Sequence, residues 1–288
     1  MPRSVSMNSL PHAPVRLTRI VTCYRQWGLI GCWIDREELF GAGVEWMVVN
    51  DAPDDACPPG LAAVLIRRAV RVVQVAHNLG RVGARNRGAH EARAEWIEFI
   101  DGDDMALPVD LADLPGTDEA DILQFPAPAV MMPVTAASGW RPPSEALRHA
   151  ENWSPILPRL RPFDVRLTAN LWRRDFFLHA GGFDGRFDGF EDVQLAFKAD
   201  RLGARVVRRA RPKQLYCQRP GRETRERVRI EGETRFLRWL RSHHPEVAPE
   251  IVTGWLAKGN LYLGLSAGLD FLSHPRHWSR YLRWRFFP

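Results

Sequence analysis

The sequence predicts an α/β domain: a mainly parallel sheet flanked by helices, with a helical C-terminal extension. Two observations carry this. Apolar, β-branched runs recur at even spacing through the first hundred residues, and helix-compatible segments separate them. Strand alternating with helix implies right-handed crossovers and parallel pairing. In addition, each run ends in polar residues, and an open parallel sheet collects its ligands at the carboxyl ends of its strands.

The predicted strands are residues 15–23, 44–50, 70–76 and 96–100, and the predicted helices between them are 28–40, 59–68 and 83–94. Thr22 and Tyr24 follow the first run, Asp51 the second, His77 and Asn78 the third, and Asp101 the fourth. Residues 107–162 are Pro-rich and less regular, with possible strands at 121–125 and 129–133. A further strand at 164–172 leads into a short helix at 173–180, a Gly-Gly turn and a helix at 191–202. Past Leu215 the pattern reads as helical, over 230–242, 249–263 and 274–287. The chain thus divides into a lead at 1–14, a main domain at 15–214 and a basic, aromatic extension at 215–288.

Composition excludes several classes. With 45% hydrophobic and 26% charged residues in 288, the chain is ordinary for a globular protein. No run approaches the roughly 18 apolar residues that span a bilayer, and the first residues lack the apolar core of a secretory signal. Cys23, Cys32, Cys57 and Cys217 form no C-x-x-C pair, which argues against zinc or a disulfide framework and for a reducing cytoplasm. The net charge of +6 is uneven, because residues 205–288 hold 18 Lys and Arg against 7 Asp and Glu. That excess suits an anionic partner; it also fits a plain preference for arginine, since Lys198, Lys213 and Lys258 are the only lysines.

Three groups of residues carry chemistry. Asp101-Gly102-Asp103-Asp104 crowds carboxylates at the end of a buried run. Such crowding is relieved by a hard divalent cation, which prefers oxygen ligands; a solvated acidic turn is the competing reading. The linker from His77 to Asn86 contains Gly80, Gly83 and Arg85 and opens a helix, whose free N–H groups suit an anion. Glu191-Asp192 opens another helix, where the dipole favours carboxylates. A carboxylate there also suits a general base acting on a hydroxyl.

Taken together, and in this order, these motifs resemble family 2 glycosyltransferases of the GT-A fold over residues 15–205. The resemblance rests on Thr22-Cys23-Tyr24, Val48-Val49-Asn50-Asp51, Asn78-Leu79-Gly80, Ala84-Arg85-Asn86-Arg87-Gly88, Phe99-Ile100-Asp101-Gly102-Asp103-Asp104, Gly181-Gly182-Phe183-Asp184 and Glu191-Asp192. It implies inverting transfer from a nucleotide-diphospho-sugar, a UDP-sugar first, to a glycan or lipid-linked acceptor. Thr22, Tyr24 and Asp51 would hold the nucleoside, with Arg85 nearby, and Asn78 would also bind the donor. Asp101 and Asp103 would face the ribose and a Mg2+ or Mn2+ ion, with Asp104 as a further ligand. Asp192 would be the base and Glu191 its neighbouring orienter, while Asn170 and Arg173 would line the acceptor side.

The chain departs from the family pattern at Thr22-Cys23, where a Pro is usual, and at Asn50, where an Asp is common. Both changes leave the donor open. Arg235-Phe236-Leu237-Arg238-Trp239 resembles the Q-x-x-R-W signature of processive synthases, but it reads better as an amphipathic helix with Arg235, Arg238 and Arg241 outward. The Arg- and Trp-rich stretch at 278–287 fits either a docked helix or peripheral contact with a membrane. A nucleotidyltransferase would need a Gly-rich basic loop after the first strand, which Thr22-Cys23-Tyr24-Arg25-Gln26 lacks. A degenerate sugar-nucleotide or carbohydrate-binding module would not need both carboxylate groups. Nucleic acid is disfavoured by a site lined with acids.

Overall fold

The computed structural model describes residues 14–116, 119–126, 129–131, 170–209, 211–218 and 226–245. Ten strands and six α-helices lie among them. β1 (Leu17–Cys23), β2 (Val44–Asn50), β3 (Arg71–Gln74) and β4 (Trp96–Asp101) alternate with α1 (Trp27–Gly31), α2 (Pro59–Arg67) and α3 (Gly80–Glu91). Then follow β5 (Met105–Ala106), β6 (Ile122–Gln124), β7 (Ala129–Met131) and β8 (Asn170–Arg173). The C-terminal part holds α4 (Arg174–His179), α5 (Glu191–Arg201), β9 (Val206–Arg208), β10 (Gln214–Gln218) and α6 (Glu226–His243).

The main sheet has the order β3-β2-β1-β4-β8-β6-β9, with β1 to β4 mutually parallel and β8 antiparallel to both β4 and β6. The register brings the strand ends flush. Thr22 lies opposite both Val49 and Asp101, and Asn50 lies opposite both Cys23 and Gln74. β1 is also where the strand order reverses, so a crevice opens between the ends of β1 and β4.

β1 is buried at every position, as a central parallel strand should be. Alternate residues feed two cores. Ile20, Met47, Val49, Ile97 and Phe99 pack on Val82, Ala89, Phe177 and Leu195, while Val21, Val48 and Ile100 pack on Trp27, Ile30, Trp33 and Leu65. Through the second core runs a buried ion pair. Arg19 donates to Glu98 at 2.6 Å, to the Leu107 carbonyl at 2.7 Å and to the Lys213 carbonyl at 3.0 Å, and it lies 4.6 Å over the Trp46 ring. It thereby ties the main sheet to a second sheet of order β5-β10-β7.

The predicted strands and helices of the first half recur with shifts of a few residues. One prediction fails: residues 28–40 form only α1 and a 3-10 turn at Glu37–Leu39. Cys32, Trp33 and Ile34 are all buried, and three successive residues cannot share one stripe of a surface helix. Past Leu215 the chain is first a strand, because β10 pairs with β5 and β7 before α6 begins. The expected lead, the first part of the 164–172 strand and the helices at 249–263 and 274–287 lie outside the described residues. No helix among the described residues is long and apolar enough to cross a membrane.

Candidate active site

The carboxyl ends of β1, β2 and β4 gather most of the residues singled out from the sequence. Thr22 is nearly buried, and Tyr24, just past β1, is half exposed with Arg25 stacked over its ring at 5.7 Å. Cys23 between them points into the core, where burial pushes its thiol up to about 12, so it is no nucleophile. Asp51 is buried and accepts the Leu79 N–H at 2.7 Å, while its carbonyl accepts from the Asn78 amide at 3.2 Å. Burial raises the Asp51 carboxyl above its usual range, and the Leu79 and Gly80 N–H groups partly offset this. Asp51 and Asn78 therefore lock the end of β2 to the start of α3.

Asp101, Asp103 and Asp104 stand together, with one carboxylate oxygen from each lying within 4.8 Å of the others. The turn needs Gly102: a Cβ there would fall 2.6 Å from the Thr22 carbonyl and 2.7 Å from Gln26. The main chain after β4 is thus folded hard against the end of β1. Asp104 is buried and also accepts the Cys217 N–H at 3.1 Å, which fastens β10 to the cluster. Three oxygen donors at this separation fit a hard divalent cation such as Mg2+ or Mn2+.

Arg85 joins this cluster to the second acidic group. Its guanidinium is buried and donates to Asp101 at 2.5 Å and to Glu191 at 2.8 Å. Burial works against its charge, but the two carboxylates outweigh that and hold it firmly protonated. Sequence reasoning set Arg85 near the nucleoside; in the structure both ends of its guanidinium are taken up by carboxylates. Arg81, one turn earlier, reaches Glu191 at 3.1 Å and Asp188 at 2.8 Å. Asn86 grips the turn before α5, donating to the Phe183 carbonyl at 2.8 Å and accepting the Phe183 N–H at 3.0 Å. Neither Arg81 nor Asn86 was assigned a role from sequence, although the Arg81–Arg85 spacing of one helical turn was a visible signal.

Asp192 follows Glu191 at the start of α5 and accepts the Val193 N–H at 2.8 Å. Burial and the adjacent Glu191 charge push its carboxyl up to about 6. Asn170 is buried at the first position of β8, opposite Gln124. Arg173 is not brought to this end. It pairs with Trp96 at the start of β4, stacks on that ring at 4.7 Å, bonds the Ala120 carbonyl at 2.9 Å and forms an ion pair with Glu95.

Three comparisons bear on this arrangement. TarS of S. aureus (residues 1–349), solved in complex with UDP-GlcNAc, superposes with a TM-score of 0.55 at 17% identity, covering 77% of this chain and 66% of that one. The same protein in complex with UDP gives a TM-score of 0.53 at 18% identity, covering 77% of this chain and 65% of that one. At such identities the likeness establishes the GT-A fold alone. The succinoglycan biosynthesis protein ExoO of Rhizobium meliloti (strain 1021) is 43% identical over 68 residues, which are 24% of this chain and 19% of that protein. The chain thus spans about a fifth of that curated relative in the match and just under two thirds of the TarS fragments. The model of the family described as "Glycosyl transferase family 2" matches residues 20–168, just over half of the chain, and the protein belongs to that family of glycosyltransferases.

Proposed function

We propose that the protein transfers one sugar, with inversion, from a UDP-sugar to a hydroxyl of a cell-surface glycan or its lipid-linked precursor. The observation that carries this is the buried Arg85, which holds Asp101 of the donor cluster and Glu191 beside the base in one rigid unit. Thr22, Tyr24 and Asp51 bound the crevice where the nucleoside would lie. Asp101, Asp103 and Asp104 would hold Mg2+ or Mn2+, which when bound offsets the charge of the diphosphate.

Asp192 accepts the proton of the acceptor hydroxyl, whose oxygen forms the new bond to the anomeric carbon as the bond to the diphosphate breaks on the opposite face. A base titrating at about 6 is largely ionised at neutral pH yet still basic enough to take a proton. Glu191, held by two arginines, keeps the start of α5 in place. UDP and UDP-GlcNAc bound to TarS support a uridine donor, and the name of ExoO supports a polysaccharide product.

A thermal-shift screen against UDP-, GDP-, dTDP- and CMP-sugars, with and without Mn2+, tests this reading. UDP-sugars should raise the melting temperature only when Mn2+ is present, and Asp103→Ala should abolish that dependence. A shift with no nucleotide-sugar, or an unchanged shift in Asp103→Ala, would overturn it.

A further inference from the structure

The segment that delivers Glu191 and Asp192 is gripped from two sides, and only one of them is α3. On that side Arg81 holds Asp188 and Glu191. On the other lies α6, from the part of the chain past residue 215. Gly232 sits in its first half, and a Cβ there would fall 2.4 Å from the Asp188 carbonyl oxygen and 3.1 Å from that of Phe187. This is main chain against main chain, so no rotamer change relieves it. Glycine inside a helix is destabilising relative to alanine, and close approach to another backbone is what gives it a reason to be here.

Around the contact the aromatic rings interlock. Phe236 meets Phe187 at 6.0 Å, Phe190 at 5.5 Å and Phe197 at 6.0 Å, and Trp239 meets Phe187 and Phe197 at 5.8 Å each. Phe187 and Phe190 flank Asp188, and Phe190 directly precedes Glu191. Phe236 and Phe187 are buried, whereas Arg235 and Arg238 face outward on the same helix. The aromatic face of α6 is therefore the mould against which residues 187–191 are cast.

From this we infer that Gly232 is a positioning residue for transfer, and that α6 is a working part of the catalytic centre. Its seat on the Phe187 and Asp188 carbonyls sets where α5 begins, and so where Asp192 stands relative to the donor. The inference rests on Asp192 being the base. Displacing a reacting group by about 1 Å costs on the order of 100-fold in rate, and an alanine methyl at Gly232 demands a shift of nearly that size. Asp101, Asp103 and Asp104 stand at the end of β4 and are joined to this segment through Arg85 and Glu191, a step removed from the Gly232 contact, so transfer should suffer far more than donor affinity.

The test compares wild type, Gly232→Ala and the outward-facing control Arg238→Ala. UDP release from a UDP-hexose panel with Mn2+, with water as the hydroxyl acceptor so that the free hexose is the second product, gives kcat and KM, and calorimetry with UDP and Mn2+ gives Kd and the number of competent sites. With kcat expressed per competent site, Gly232→Ala should lose at least tenfold in kcat while KM and Kd stay within twofold, and Arg238→Ala should match wild type. An unchanged kcat in Gly232→Ala, or Kd weakening in parallel with kcat, would overturn the inference. Should Gly232→Ala not fold, Phe236→Leu loosens the same seat without adding an atom to it and is judged by the same criteria. A wild-type protein that releases UDP from no sugar, or an Asp192→Asn variant as active as wild type, sinks the underlying reading. An active wild type with an indifferent Gly232→Ala sinks this inference alone.

Discussion

Arg85 and Glu191 are 106 positions apart in the chain and 2.8 Å apart in the fold, with both side chains buried. The same guanidinium holds Asp101, so one cation serves two carboxylates from two different elements. Arg85→Met removes the cation that Asp101 and Glu191 share and leaves Glu191 to Arg81, and removing one partner of a buried ion network costs about 3–5 kcal/mol. Arg85→Lys keeps a charge but cannot span both acids, because an ammonium is a point donor. Chemical denaturation should show the large loss in the Met variant and a smaller one in the Lys variant. Transfer should fall at least tenfold in both.

The Asp192 carboxyl, raised to about 6, makes the rate and the stability respond oppositely to pH. A base must be ionised to act, so kcat should climb through about pH 6 and level off above 7. The fold favours the protonated form, so this group's contribution to stability is full below its unfolded value near 4. It is lost as pH rises through 6. Asp192→Asn mimics the protonated acid. Its free energy of unfolding should match wild type at pH 4 and exceed it at pH 8, by roughly 1 kcal/mol once partial exposure is discounted. Transfer should be absent in the variant, and a rate within tenfold of wild type would remove Asp192 from the base role.

Arg19 is the second cation whose loss should be felt. It is fully buried, with Glu98 on one side and the carbonyls of Leu107 and Lys213 on the other. Arg19→Met strands the Glu98 charge and two carbonyls, and should destabilise the protein by about 3–5 kcal/mol. The double variant Arg19→Met with Glu98→Leu should recover part of that loss, since no charge is then left unpaired. Equilibrium unfolding of the three proteins measures it.

The gathering of Thr22, Asp51 and Asp101 at one end of the sheet was legible because its signals are local. Each strand of β1 to β4 is an apolar run ending in a polar residue, and parallel register then sets those ends side by side. The pairing of Arg85 with Glu191 was not legible, since its partners depend on how α5 packs across the sheet. Arg173 illustrates the same limit: it lies on the expected strand-to-helix segment, but the antiparallel run of β8 carries it to the far end of β4. β9 was hidden by its own arginines. Arg205 and Arg208 look like solvated residues in sequence, whereas Arg205 is bound to Asp121 at 2.9 Å and Arg208 to Gln124 at 2.9 Å. β5 has only two residues, and the alternation of Leu215 and Cys217 in β10 spans only five, too short to stand out in the arginine-rich sequence around it.

The attachment of β10 also sets an order of assembly during synthesis. Arg19 waits 194 residues for the Lys213 carbonyl, and Asp104 waits 113 for the Cys217 N–H. At about 5–20 residues per second, the first four strands are outside the ribosome for roughly 6–20 s before that strand arrives. Until then Arg19 has Glu98 and the Leu107 carbonyl but not that of Lys213, and Asp104 lacks the Cys217 N–H. A nascent chain halted before residue 213 would hold Asp101, Asp103 and Asp104 without the strand that fastens Asp104.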